Sequence, residues 1–119
     1  GASFRGIHDS LVNYGQGRPA IIECTHEEIA VFTALGYAKA TGKPMGVILH
    51  NVVGLLHANQ AIYNAYMDKI PMLIFGGTGP MDTQQRRARI DWDHTAKAQG
   101  SAIRDYTKRD DQADSILPF

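Results

Sequence analysis

Residues 21–50, IIECTHEEIAVFTALGYAKATGKPMGVILH, read by period as an apolar strand, a helix and a second apolar strand. The first strand is predicted over residues 19–24. Thr25-His26-Glu27-Glu28 has the spacing of a capping box, with Thr25 as the cap and Glu28 reaching back to it. Gly42 and Pro44 stop the helix, and residues 45–49 form a strand of the kind buried on both faces. Strand, helix and strand at this spacing make a right-handed crossover of a parallel sheet, which places the chain in the α/β class.

The rest of the chain extends this pattern. Before it, residues 1–17 read as a loop and a helix capped by Ser3, with Phe4, Ile7, Leu11 and Tyr14 at helical spacing and His8 in solvent. After it, a helix is predicted from about Leu55 to Asp68, with Leu55, Ala58, Ile62 and Ala65 as its buried stripe. Residues 72–75 form a third apolar strand. The loop Gly76-Gly77-Thr78-Gly79-Pro80 lacks a Walker lysine and a helix-opening GxGxxG, so its glycines are read as allowing close backbone approach rather than a phosphate cradle. Residues 84–89, QQRRAR, read as a solvated basic face. A short helix is expected over residues 91–100 with Trp92 as a packing anchor, a late strand over 102–108, and a polar tail ending at Pro118-Phe119.

At 119 residues the chain is one domain at most. Acids and bases number 12 each and are interspersed, which gives no sign of nucleic acid or an anionic membrane as partner. No apolar run approaches the roughly 20 residues of a membrane helix. Cys24 is the only cysteine, which excludes an internal disulfide and fits a cytoplasmic location.

Glu27 stands out. On a helix it shares a stripe with Ala30, Val31, Ala34 and Ala38, all apolar and mostly small. A carboxylate there is costly unless paired or protonated, whereas Glu28 is accounted for as the cap partner. The alternative is that Glu27 lies at a frayed first turn, in water, favoured by the helix dipole. The set Cys24, His26, His50 and His57 matches no structural zinc spacing, and Cys24 with His26 lacks a third orienting group for a nucleophilic pair.

Glu27, then Gly36-Tyr37-Ala38 and Thr41-Gly42-Lys43-Pro44, followed by Leu49-His50, Gly54, Asn64-Ala65, Asp68, Ile70-Pro71 and Gly76-Gly77, resemble the pyrimidine-binding domain of thiamine-diphosphate enzymes. The group it is most similar to contains acetolactate synthase, benzoylformate decarboxylase and their relatives. The resemblance implies a three-layer α/β sandwich with a parallel sheet, here lacking its usual first strand, so that residues 1–119 form a partial pyrimidine-binding domain. It implies thiamine diphosphate as cofactor and Glu27 as the residue that hydrogen-bonds a ring nitrogen of the aminopyrimidine and favours its imino tautomer. Such a carboxyl should hold its proton readily, through desolvation. By the same resemblance His50 assists proton transfers at the substrate, a small 2-oxo acid that is decarboxylated or ligated; a hydrogen bond to the next loop is the structural alternative. Gly36 is expected to permit close helix packing.

In the family a second domain holds the diphosphate and Mg²⁺ through a Gly-Asp-Gly motif, which is missing here, so no metal ligand is assigned. The resemblance therefore implies a missing diphosphate-binding domain or second subunit as partner, a homo-oligomer, and no activity of this chain alone. Acetolactate synthases usually carry a Gly-Pro-Gly type loop where this chain has Asn51-Val52-Val53-Gly54, which counts against acetolactate synthesis itself, and His57 replaces a common Asn whose role is not carried over. A non-catalytic interaction module keeping the fold and dimer surface is the rival reading; a flavodoxin-like nucleotide binder is disfavoured by the missing phosphate loop.

Overall fold

Period and breakers place most elements correctly. The computed structural model of the chain describes residues 2–80 and 82–113. Its regular elements are α1 (Arg5–Tyr14), α2 (Glu27–Thr41), β1 (Met45–Leu49), α3 (Val52–Met67), β2 (Met72–Gly76) and the short α4 (Ile90–His94). Single 3₁₀ turns occupy Thr83–Gln85, Gln99–Ala102 and Arg104–Tyr106.

The strands β1 and β2 pair in parallel, in register from Met45 opposite Met72 to Leu49 opposite Gly76. Parallel neighbours need a crossover, and α3 supplies it. The α/β class is thus as the sequence predicts. Alternation along β1 sends Val47 and Leu49 to one face, where they are buried with Val31, Ala34, Leu55, Ala58, Ala61 and Ile62. Helices α2 and α3 cover that face and pack on each other. Full burial of a side chain such as Leu49 is worth roughly 1.5–3 kcal/mol. The seam between the helices is built largely from alanines: Ala34 and Ala38 on α2, and Ala58, Ala61 and Ala65 on α3 are all buried. Small side chains let helix axes approach closely. On the other face of the sheet Ile48, Leu73 and Phe75 stay about half exposed among the described residues.

Helix α2 ends as its sequence dictates. Gly42 takes the left-handed conformation, φ 69°, and its N–H donates to the Ala38 carbonyl at 2.8 Å. A residue with a Cβ would be strained there, and Pro44 prevents continuation.

Several expectations need correction. Residues 19–24 form no strand; Ile21 and Ile22 are exposed, and no described strand lies beside them. An apolar run becomes a strand only when its N–H and C=O groups find a partner. Helix α2 is capped by His26, not Thr25: His26 has extended φ and ψ, and its Nδ1 accepts the Glu28 N–H at 3.2 Å. Gly36 faces open space, with nothing within 4 Å of a Cβ built there, so it is not a packing glycine. The stripe of α1 is not buried, Ile7 and Tyr14 being exposed.

Trp92 is 65% exposed and lies under the Arg86 guanidinium, 5.6 Å from its ring centre, rather than in the core. Helix α4 stops at His94 because Thr95 turns extended. Residues 102–108 are not a strand. Three residues per 3₁₀ turn bring Ile103, which is buried in the core, and Tyr106 to one side, where the Tyr106 hydroxyl donates to Asn59. The basic stretch is partly pinned: the Arg87 backbone N–H and guanidinium both donate to the buried Asp91 carboxylate, at 2.7 and 3.2 Å. The tail beyond residue 113 lies outside the described residues.

Candidate functional site

With His26 as the cap, Glu27 becomes the first residue of α2. The first N–H groups of a helix have no partner within it, so the Glu27 carboxyl lies beside free donors. Its neighbours Val31, Ala34 and Ala38 on the predicted stripe are buried, yet the Glu27 side chain keeps 21% of its surface in water. It is therefore neither a core carboxylate nor a frayed one.

Helix α3 comes against it. A methyl built on Gly54 would sit 3.1 Å from Glu27 Oε1 and 2.7 Å from the His50 Cβ. Glycine at 54 is what lets the start of α2 and the end of β1 close on the first turn of α3. One turn further on, His57 Nδ1 lies 3.4 Å from Glu27 Oε2. The His57 and His26 rings are stacked, 4.9 Å apart with 19° between their planes.

These neighbours set the carboxyl's acidity. Burial pushes Glu27 up, but its own backbone N–H, the hydrogen bond from His57 and the charges of both histidines outweigh it. The net shift is downward. The expected proton-holding carboxyl is thus not what the free chain has: desolvation is present, and local donors overrule it.

His50 follows β1 at the carboxyl edge of the parallel sheet, the edge where open α/β sheets bind ligands. Its Nδ1 is hydrogen-bonded to the Ser3 hydroxyl, and its ring meets the His94 ring edge-on at 5.2 Å. Burial lowers its pKa, nearby positive charge including His94 adds to that, and Glu27 partly offsets both. Asn51, next in the chain, is buried with Oδ1 unpartnered. The two predicted residues, Glu27 and His50, are brought together where a Cβ on Gly54 would stand, whereas Cys24 is exposed and belongs to neither grouping.

Sequence reasoning missed Ser3 and set His57 aside. Ser3 was expected to cap α1, and no local signal ties it to a residue 47 positions away. His57 had one: it lies three residues after Gly54 and so shares that face of α3.

The geometry can be described in chemical terms. A partly exposed carboxyl, backed by a glycine and flanked by two imidazole groups, can donate or accept one hydrogen bond to a planar nitrogen ring that approaches from the sheet edge. A ring nitrogen of thiamine's pyrimidine fits that donor set, and the missing Cβ at Gly54 leaves room for the Glu27 carboxyl itself.

Residues 6–108 match the family of the thiamine pyrophosphate enzyme N-terminal TPP binding domain. The chain belongs to this family, which implies use of thiamine diphosphate. Among curated proteins it is 34% identical over 82 residues to the acetolactate synthase large subunit of Lactococcus lactis, covering 68% of this chain and 14% of that one. It is 35% identical over 77 residues to the acetolactate synthase large subunit of Buchnera aphidicola from Schizaphis graminum, covering 65% and 13%. The large subunit of acetolactate synthase isozyme 3 of Escherichia coli is 34% identical over 77 residues, again 65% and 13%. The chain thus spans about one seventh of the length of these relatives. No helix among the described residues is long and apolar enough to cross a membrane.

Proposed function

We propose that this chain provides the pyrimidine half-site of a thiamine-diphosphate enzyme that decarboxylates or ligates small 2-oxo acids, with Glu27 as the cofactor-activating carboxyl. The observation that carries the reading is the seat of Glu27: first in α2, against the bare Cα of Gly54, where His50 also approaches. When bound, the cofactor supplies the nucleophilic carbon that attacks the substrate carbonyl.

What the chain's own residues do follows from the balance at Glu27. In the free chain His57 and the local N–H hold the carboxyl ionised. With a pyrimidine ring bound, Glu27 would be shielded from water and would give up His57 as its partner. Burial, which already pushes the pKa up, would then prevail, and Glu27 would hold the proton that it shares with the ring nitrogen. His50, fixed through Nδ1 by Ser3, keeps its other ring nitrogen to move a proton at the substrate. On this reading diphosphate and Mg²⁺ fall to a second domain or subunit. The acetolactate synthases named above make carboligation the nearer model, while Leu49-His50 favours decarboxylation.

A second reading, a non-catalytic interaction module, is favoured by the half-exposed Ile48, Leu73 and Phe75 face. Proton exchange at the cofactor's reactive carbon, followed by NMR in the full-length protein, separates the two. Glu27→Gln should fold normally and slow that exchange by orders of magnitude. Exchange as fast as wild type would remove Glu27 from the role.

A further inference from the structure

One cluster is not absorbed by this reading. His26, Glu27 and His57 each bring a donor atom to within 4.8 Å of the other two. His26 and Glu27 open α2, and His57 stands in the second turn of α3, so the packing of two helices fixes the spacing. His26 is exposed and the His57 side chain is 58% exposed, which leaves an entry path from solvent.

The donor chemistry is selective. Two imidazoles and one carboxylate suit borderline dications such as Zn²⁺, Co²⁺ and Ni²⁺, which accept three protein ligands and keep a position open. Mg²⁺ and Ca²⁺ need more oxygen ligands than one carboxylate offers. We propose that His26, Glu27 and His57 form a binding site for a zinc-type dication, with its remaining position open to water.

Occupancy has a structural cost that can be observed. In the metal-free chain the His26 Nδ1 lone pair accepts the Glu28 N–H. A metal on Nδ1 takes that lone pair, and a metal on Nε2 moves the ring proton to Nδ1. Either way the cap of α2 is given up, and the Glu28 N–H is released to solvent. If Glu27 also activates thiamine diphosphate, metal and pyrimidine compete for one carboxylate; metal binding itself does not depend on that reading.

The test uses the full chain stripped of metal and cofactor, so its outcome is independent of the cofactor assignment. Co²⁺ is titrated by visible absorption and displaced with Zn²⁺. Wild type should bind one equivalent, with a large excess of Mg²⁺ failing to compete. His57→Asn and Glu27→Gln should each weaken binding by about tenfold or more, since loss of an outer-shell partner alone costs that much. His8→Asn, on α1 and outside the cluster, should change nothing. In wild-type protein Zn²⁺ should also shift the His26 and His57 ring protons and speed hydrogen exchange of the Glu28 amide. This second readout needs no variant to fold. Absence of stoichiometric binding, equal affinity in His57→Asn, or shifts confined to other histidines would overturn the site.

Discussion

Replacing Gly54 with alanine tests how the candidate site is assembled. The added methyl would stand 2.7 Å from the His50 Cβ, 3.1 Å from Glu27 Oε1 and 3.2 Å from Glu27 Cγ. Glu27 can swing its carboxyl aside. His50 cannot yield as easily, because its Cβ is fixed by the backbone that follows β1, where the Leu49 carbonyl accepts the Gly77 N–H at 3.2 Å. Overpacking of this kind costs about 1–3 kcal/mol. Alanine returns up to ~1 kcal/mol of helix propensity, less in a first turn, where several N–H groups lack partners anyway. A net loss of about 1–2 kcal/mol is therefore expected in urea unfolding. The site should suffer more than the fold. Glu27 swung aside leaves its 3.4 Å contact with His57, and a shifted His50 leaves Ser3. Calorimetric titration of the full-length variant with thiamine diphosphate should show weakened binding, and the His57 ring signals should move. A Gly54→Ala protein as stable as wild type, with unchanged cofactor affinity and histidine spectra, would refute the claim that this glycine seats the two residues.

Leu49→Ala should cost about 2–5 kcal/mol in urea unfolding, because Leu49 is fully buried between sheet and helices. Ile48→Ala, one residue away on the half-exposed face, should cost much less. The Arg87 side chain beside Asp91 lowers that carboxyl's pKa, chiefly through its hydrogen bond. The linked stability is present above the ordinary Asp range and is lost as pH falls through the lowered value. Arg87→Ala should therefore begin acid unfolding at higher pH than wild type, followed by circular dichroism.

The run from α2 to β2 was legible because each element is encoded locally. Apolar period, the Gly42 stop and the Pro44 breaker need no distant partner to act. Residues 19–24 misled for the opposite reason: their composition suits a strand, but a strand is a property of two segments. Residues 102–108 alternate like a strand, yet Ile103 reaches the core from a 3₁₀ turn, since tertiary burial overrides a weak period-two signal. Glu27 and His50 were singled out chiefly by the family resemblance, with an apolar stripe and a strand end as the local hints. Ser3 was invisible, being tied to His50 only through the folded chain.

The alanine seam between α2 and α3 acts as a gauge block for the candidate site. Each buried methyl at Ala34, Ala38, Ala58, Ala61 and Ala65 fills its place, and helix separation is set by the side chains at the contact. Glu27 rides on one side of the seam and His57 on the other, at 3.4 Å. A valine at position 61 would alter no polar group, yet by wedging the helices it would widen that gap. The distance between an acid and its imidazole partner thus depends on the size of side chains further along the two helices.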